Sequence, residues 1–125
     1  MSVRGVRGAV VIARDDPELV LSATRELLQT ILESNPEMHS DDLASVLFTA
    51  TGDISSVYPA QAARQIGWEF VPLMCATEIS VPNSLSHCIR VLIHWNTDIH
   101  QSRIRHIYLG EATSLRPDLQ QSSET

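Results

Sequence analysis

Apolar positions along the chain alternate between two periods, and the switches between them mark the elements. The opening "SVRGVRGAVVIA" is rich in β-branched residues and bounded by "RDDP", which predicts a first strand over 2–13. Arg4 and Arg7 then face opposite ways, because three residues is an odd number of steps on a period of two. Asp16 followed by Pro17 gives an N-cap acceptor and a proline at the first helical position. Val20, Thr24, Leu27, Leu28, Ile31 and Leu32 continue from it at helical spacing, and "SNP" ends the helix near Ser34. "LASVLFTAT" predicts a second strand closing at "GD". Pro59 opens a short helix that stops before Gly67, with Gln61 and Arg64 one turn apart on the same side. "WEFVPLMCA" reads as a third strand, with Pro72 implying an edge or an irregular end. "TEISVPNSLS" is the longest loop-like piece, "HCIRVLIHWN" the fourth strand and "RHIYL" a short fifth. The remainder, "GEATSLRPDLQQSSET", has no periodicity and is expected to be flexible from about residue 117, within a single domain spanning 1–125.

This order predicts an α/β (α+β) fold in which a single sheet is covered by two helices. Two helices of unequal length leave much of one sheet face bare. Oligomerisation is the simplest way to cover it.

Composition narrows the function. A hydrophobic content of 43% is ordinary for a folded domain, and a net charge of −6 with a pI near 5.2 argues against nucleic acid or an anionic membrane as partner. The arginines of "MSVRGVRGAV" interrupt any signal-peptide core, and no apolar run reaches membrane-spanning length. A soluble, cytoplasmic protein is expected. Cys75 and Cys88 are too few for a disulfide framework and read as free thiols. All nine basic residues are arginine, the cation best suited to gripping planar carboxylates, although codon usage produces the same bias.

Several chemistries fit poorly. His39, His87, His94, His100 and His106 lack the short paired spacings of a metal site, so no metal is expected. Cys75 has no histidine near it in sequence, and the glycines of "RGVRG" lack the helix start that phosphate loops need. The informative stretch is "HCIRVLIHW", where alternation groups Cys88, Arg90, Leu92 and His94 on one face. It puts Arg90 near a core, where a guanidinium needs a carboxylate from the protein or from a ligand. Glu78, just past a strand end, could supply it as a plain salt bridge. More arginines than one glutamate can satisfy would favour a ligand.

From "VRGVRGA" through "YPAQAAR", "GW", "VPLMC", Glu78, "CIRV", "RHIYL" and "LRPDL", nearly the whole chain resembles the trimeric, monofunctional chorismate mutases of the AroH type. The resemblance implies a mixed sheet assembled as a trimeric pseudo-α/β-barrel, with active sites in the clefts between subunits. It implies conversion of chorismate to prephenate, on the branch towards phenylalanine and tyrosine. It makes Arg90 and Glu78 the catalytic pair: Arg90 contacts the ether oxygen and a carboxylate, while Glu78 and Cys75 face the ring hydroxyl. Arg7 and Tyr108 help to bind a carboxylate. Tyr58, Ala60, Gln61, Arg64, Leu73, Met74 and Leu115 complete the substrate-binding positions, with Leu115 and Arg116 in a tail segment that closes over the site. Tyr58 stands where the family usually has phenylalanine, and Gln61 where lysine is common. The rearrangement is intramolecular, so the resemblance implies no cofactor. Two other readings remain open: an imine deaminase of similar architecture, and a non-catalytic trimer that binds a shikimate-type carboxylate.

Overall fold

The computed structural model describes residues 2–115. Its sheet has five strands: β1 (Val3–Val11), β2 (Leu43–Ala50), β3 (Leu73–Thr77), β4 (Cys88–Asn96) and β5 (Ile107–Leu109), in the order β3-β2-β4-β1-β5. β4 runs antiparallel to both β1 and β2, whereas β5 joins β1 and β3 joins β2 in parallel. The sheet is therefore mixed. Pro72 fits because it lies just before β3, an edge strand, where a missing backbone donor is tolerated.

The longer helix, α1 (Pro17–Ser34), begins where the sequence predicts, with Asp16 accepting from the Leu19 N–H at 3.1 Å. Its Leu27, Leu28 and Ile31 pack with Val6, Phe48, Ile89 and Ile93 to form the main core on one face of the sheet. Gly8 makes this approach possible: a Cβ there would lie 2.8 Å from Ile31 Cδ1 and 3.1 Å from Leu27 Cδ1. The short α2 (Ala60–Gln65) joins the same core through Ala60 and Ala63. It stops at Gly67, whose φ of +95° lets Trp68 N–H return to Ala63 O and Gly67 N–H to Arg64 O.

Where α1 ends, Asn35 is 5% exposed and staples the helix to the approach of β5. Its side chain donates to Ile31 O and Arg105 O, both at 2.9 Å, and accepts from Arg105 N–H at 3.0 Å. Asn35→Ala leaves these backbone groups without that partner and is expected to lower unfolding free energy by about 2 kcal/mol. Urea denaturation measures it; an unchanged midpoint would show that the staple adds nothing.

Four details differ from the sequence reading. The third strand starts at Leu73, because residues 68–72 bend to bury Trp68 and Val71 before pairing begins. β5 is only Ile107–Leu109. Residues 110–115 form a 3₁₀ helix, from which Ala112 packs on Ala9 and Cys88. Arg90 is not near the main core: along β4 Ile89, Val91, Ile93 and Trp95 are buried, while Arg90, Leu92 and His94 are half-buried on the opposite face. That grouping of alternate residues is the predicted one, with Cys88 its buried member, but the main core takes the other set. Arg116 and the tail expected to be flexible lie outside the described residues.

Candidate active site

Strand register brings the site together on the sheet face turned away from α1. Arg90 is paired with Thr49 on β2 and with Ala9 on β1, and Ala9 is paired in turn with Tyr108 on β5. Thr49 is also opposite Ala76 on β3, two residues before Glu78. Residues far apart in the chain thus form one row across the sheet, at about 4.8 Å per strand. Ala9 is the small member between Arg90 and Tyr108. Arg7 lies one step along the same face, opposite Leu92.

The start of β4 is anchored separately. His87 sits at φ +49°, and its N–H donates to both Asp53 carboxylate oxygens, at 3.1 and 3.0 Å. Cys88 N–H donates to the Thr51 hydroxyl at 3.0 Å. Burial pushes the Asp53 carboxyl up, but hydrogen bonds from Thr51 and His87 and the nearby His87 charge outweigh it, leaving a pKa below the ordinary value. The "TGD" turn is therefore a charged clamp two residues before Arg90. Burial raises the Cys88 thiol above its usual pKa, opposed by Arg90 beside it, so this thiol is a neutral packing group.

Arg90 Nε lies 3.4 Å from Glu78 Oε2, and the Thr49 hydroxyl donates to that same oxygen. The two charged side chains are 34% and 24% exposed, so the pair is only half-buried. Its geometry is an ion pair without a hydrogen bond. Arg90 Nε and the Tyr108 hydroxyl are both buried atoms with no hydrogen-bond partner among the described residues. Such groups are rare because leaving one unpaired costs about 1–3 kcal/mol. Nor does the Arg7 guanidinium form a hydrogen bond or ion pair among the described residues; only its backbone is held, the N–H donating to His106 Nδ1 at 3.0 Å. This face thus carries two guanidiniums, and the Glu78 carboxylate pairs with one of them, the imbalance that favours an anionic ligand. Leu115 flanks this group, half-buried against the cluster of Ala9, Cys88 and Ala112.

The other predicted positions, apart from Met74 on the Arg90 side of the edge strand, form a second group that a single chain does not bring to Arg90. Cys75 is paired with Phe48 and packs with Leu73 against the main core, on the α1 side of the sheet. A cleft of about 470 Å³ lies there, lined by Tyr58, Cys75, Thr77 and the 54–57 segment. Tyr58 is 74% exposed at the approach to α2, and Gln61 and Arg64 are exposed on that helix. Ala60 is buried beneath them, and Met74 is 69% exposed on the edge strand. Thr49 was not among the expected residues. Alternation within "LASVLFTAT" sets it opposite Val46 and Phe48 in orientation, but only the pairing of β2 with β4 sets it beside Arg90.

Comparison with known proteins bears on this arrangement. The family model described as chorismate mutase type I matches residues 3–119. The chain belongs to that family. It is 54% identical to the chorismate mutase AroH of Thermus thermophilus, over 94% of this chain and 97% of that protein. It is 41% identical to the chorismate mutase AroH of Bacillus subtilis strain 168, over 100% and 98%. Among solved structures, a chorismate mutase from Clostridium thermocellum superposes with a TM-score of 0.85 at 40% identity, covering 88% of this chain and 97% of that one. Membership of the chorismate mutase family makes the chain an isomerase of aromatic biosynthesis, in agreement with the resemblance read from its motifs. Among the described residues no helix is long and apolar enough to cross a membrane, and no group of three His, Cys, Asp or Glu could hold a metal ion.

Proposed function

We propose that this chorismate mutase converts chorismate to prephenate in clefts between the subunits of a cytoplasmic homotrimer, with Arg90 as the principal catalytic group and Glu78 beside it. One observation carries the site assignment. Arg90 Nε–H and Tyr108 O–H, two buried donors without partners among the described residues, lie in one cross-sheet row on a face with more guanidinium than carboxylate. A dicarboxylate suits that face.

The chemistry asks for little else. The rearrangement breaks a carbon–oxygen bond and joins two carbons of the same molecule, so the protein must hold the dianion in its compact chair form and stabilise developing charge. Arg7 and Tyr108 bind a carboxylate. Arg90 is aimed at the ether oxygen, where negative charge grows as the bond lengthens. A fixed cation there binds the transition state more tightly than the ground state, which is what accelerates the step. Glu78 accepts from the ring hydroxyl and sets the orientation of the ring.

Two features support the assembly. Leu47 and Leu92 are half-buried, and Met74 exposed, on the face that α1 leaves uncovered. The second group, Tyr58, Gln61, Arg64 and Cys75, lies away from Arg90 within one chain, so a neighbouring copy must present it. In the test, purified protein is mixed with chorismate, and loss of chorismate absorbance is followed together with the appearance of prephenate. Tyr108→Phe is expected to lower kcat/KM by about tenfold, the loss of one hydrogen bond to a charged group. Binding without conversion, by protein shown to be folded, would refute the catalytic reading; unchanged kinetics in Tyr108→Phe would remove Tyr108 from the site.

A further inference from the structure

We propose that Thr49 is a positioning residue for the Glu78 carboxylate, holding one of its oxygens so that the other faces the substrate and Arg90 keeps its Nε–H for the reaction. The inference rests on the roles proposed above for Glu78 and Arg90. The Thr49 hydroxyl donates to Glu78 Oε2, the same oxygen that lies 3.4 Å from Arg90 Nε. No described residue donates a hydrogen bond to Oε1. One carboxylate oxygen is therefore occupied inside the protein, and the other is left to accept from a ligand hydroxyl.

Thr49 is well placed to do this because it is fixed where Glu78 is not. It lies on β2, hydrogen-bonded between β3 and β4, and a β-branched side chain on a strand has few χ1 choices. Glu78 follows the last residue of β3 and opens a segment without regular structure that runs to the start of β4. Its backbone is tied by one bond, Glu78 N–H to Ala50 O at 2.9 Å. The threonine hydroxyl is the tie on the side chain. Without it the carboxylate is free to turn onto Arg90 and close a full ion pair, engaging the donor that the ether oxygen requires.

Thr49→Val removes the hydroxyl at nearly constant volume, and Thr49→Ser retains it. In steady-state kinetics with chorismate, Thr49→Val is expected to lose roughly 10- to 100-fold in kcat/KM, with kcat falling as well as KM rising. Thr49→Ser should stay within about threefold of the parent protein, since it keeps the charged hydrogen bond. Thermal midpoints of both variants should match the parent, whereas a merely structural role would lower the midpoint and leave kcat alone. In a Glu78→Ala background, Thr49→Val should add no further loss, because its action passes through that carboxylate. Parent-like kinetics in Thr49→Val, an equal loss in Thr49→Ser, or additive losses in the double variant would each overturn the proposal. Glu78→Ala separates the two levels. Parent-like turnover in it would refute the site assignment itself, whereas an impaired Glu78→Ala beside an unimpaired Thr49→Val would refute only the part given to Thr49.

Discussion

Arg90→Ala is expected to lower kcat/KM for chorismate by about 10³-fold or more, with circular dichroism and thermal unfolding close to those of the parent protein. The size follows from what one aimed donor contributes to a developing oxyanion, about 3–4 kcal/mol, with a full charge in a water-poor cleft at or above that range. Stability changes little because Arg90 is outside the main core, half-exposed, and paired with Glu78 at 3.4 Å without a hydrogen bond. Half-exposed pairs of this kind contribute little to folding. Arg90→Lys is expected to recover little of the loss. The buried donor is Nε, part of a planar fork, and lysine puts a methylene that cannot donate at the Nε position and a single ammonium one atom farther out. Steady-state kinetics of the three proteins decide the matter, and parent-like turnover in either variant would remove Arg90 from the mechanism.

The second large effect is a gain. Arg64→Ala and Arg90→Ala, each impaired alone, are expected to restore activity when they are combined in one trimer. Arg64 lies on α2, on the α1 side of the sheet, and Arg90 is on the opposite face. If each cleft takes its Arg90 group from one subunit and its Arg64 group from the next, the contact is head-to-tail and closes into a ring. In such a ring any trimer holding both variants has one intact site in about three, whichever variant is in excess. Co-expression with two different affinity tags and purification on both isolates these mixed trimers. About a third of the parent activity is the expected result. Activity no higher than the average of the two variants would mean that the site is complete within one chain, and a monomeric protein by light scattering would refute the assembly outright.

The elements were legible where a local rule is strong. Asp16-Pro17 marked the start of α1, Gly67 the end of α2, and period-two alternation in "HCIRVLIHW" grouped Arg90 with Leu92 and His94. The failures have physical causes. "WEFV" has strand-like composition, but Trp68 and Val71 are apolar because they fill the core from a bend. Arg90 was placed near the core because alternation shows which residues share a face without showing which face α1 covers.

The site divides in the same way. Candidates for its chemistry were readable in the chain: an arginine in an apolar strand and a glutamate past a strand end. The resemblance to one family along nearly the full length is borne out by the family match over residues 3–119. Thr49 could not be found, since its partners are 29 residues away at Glu78 and across a strand pair at Arg90.

By itself, then, the sequence determined the order of the main strands and helices, the family and the residue types available for catalysis, because capping, periodicity and motif order are properties of neighbouring residues. The tertiary structure alone decided that Arg90, Thr49, Ala9 and Tyr108 form one row, that Tyr58 and Cys75 stand apart from it, and that two buried donors are left without protein partners among the described residues. Strand register sets the row and the opposite facing of Cys75, and register is fixed by the packing of one whole sheet face against α1.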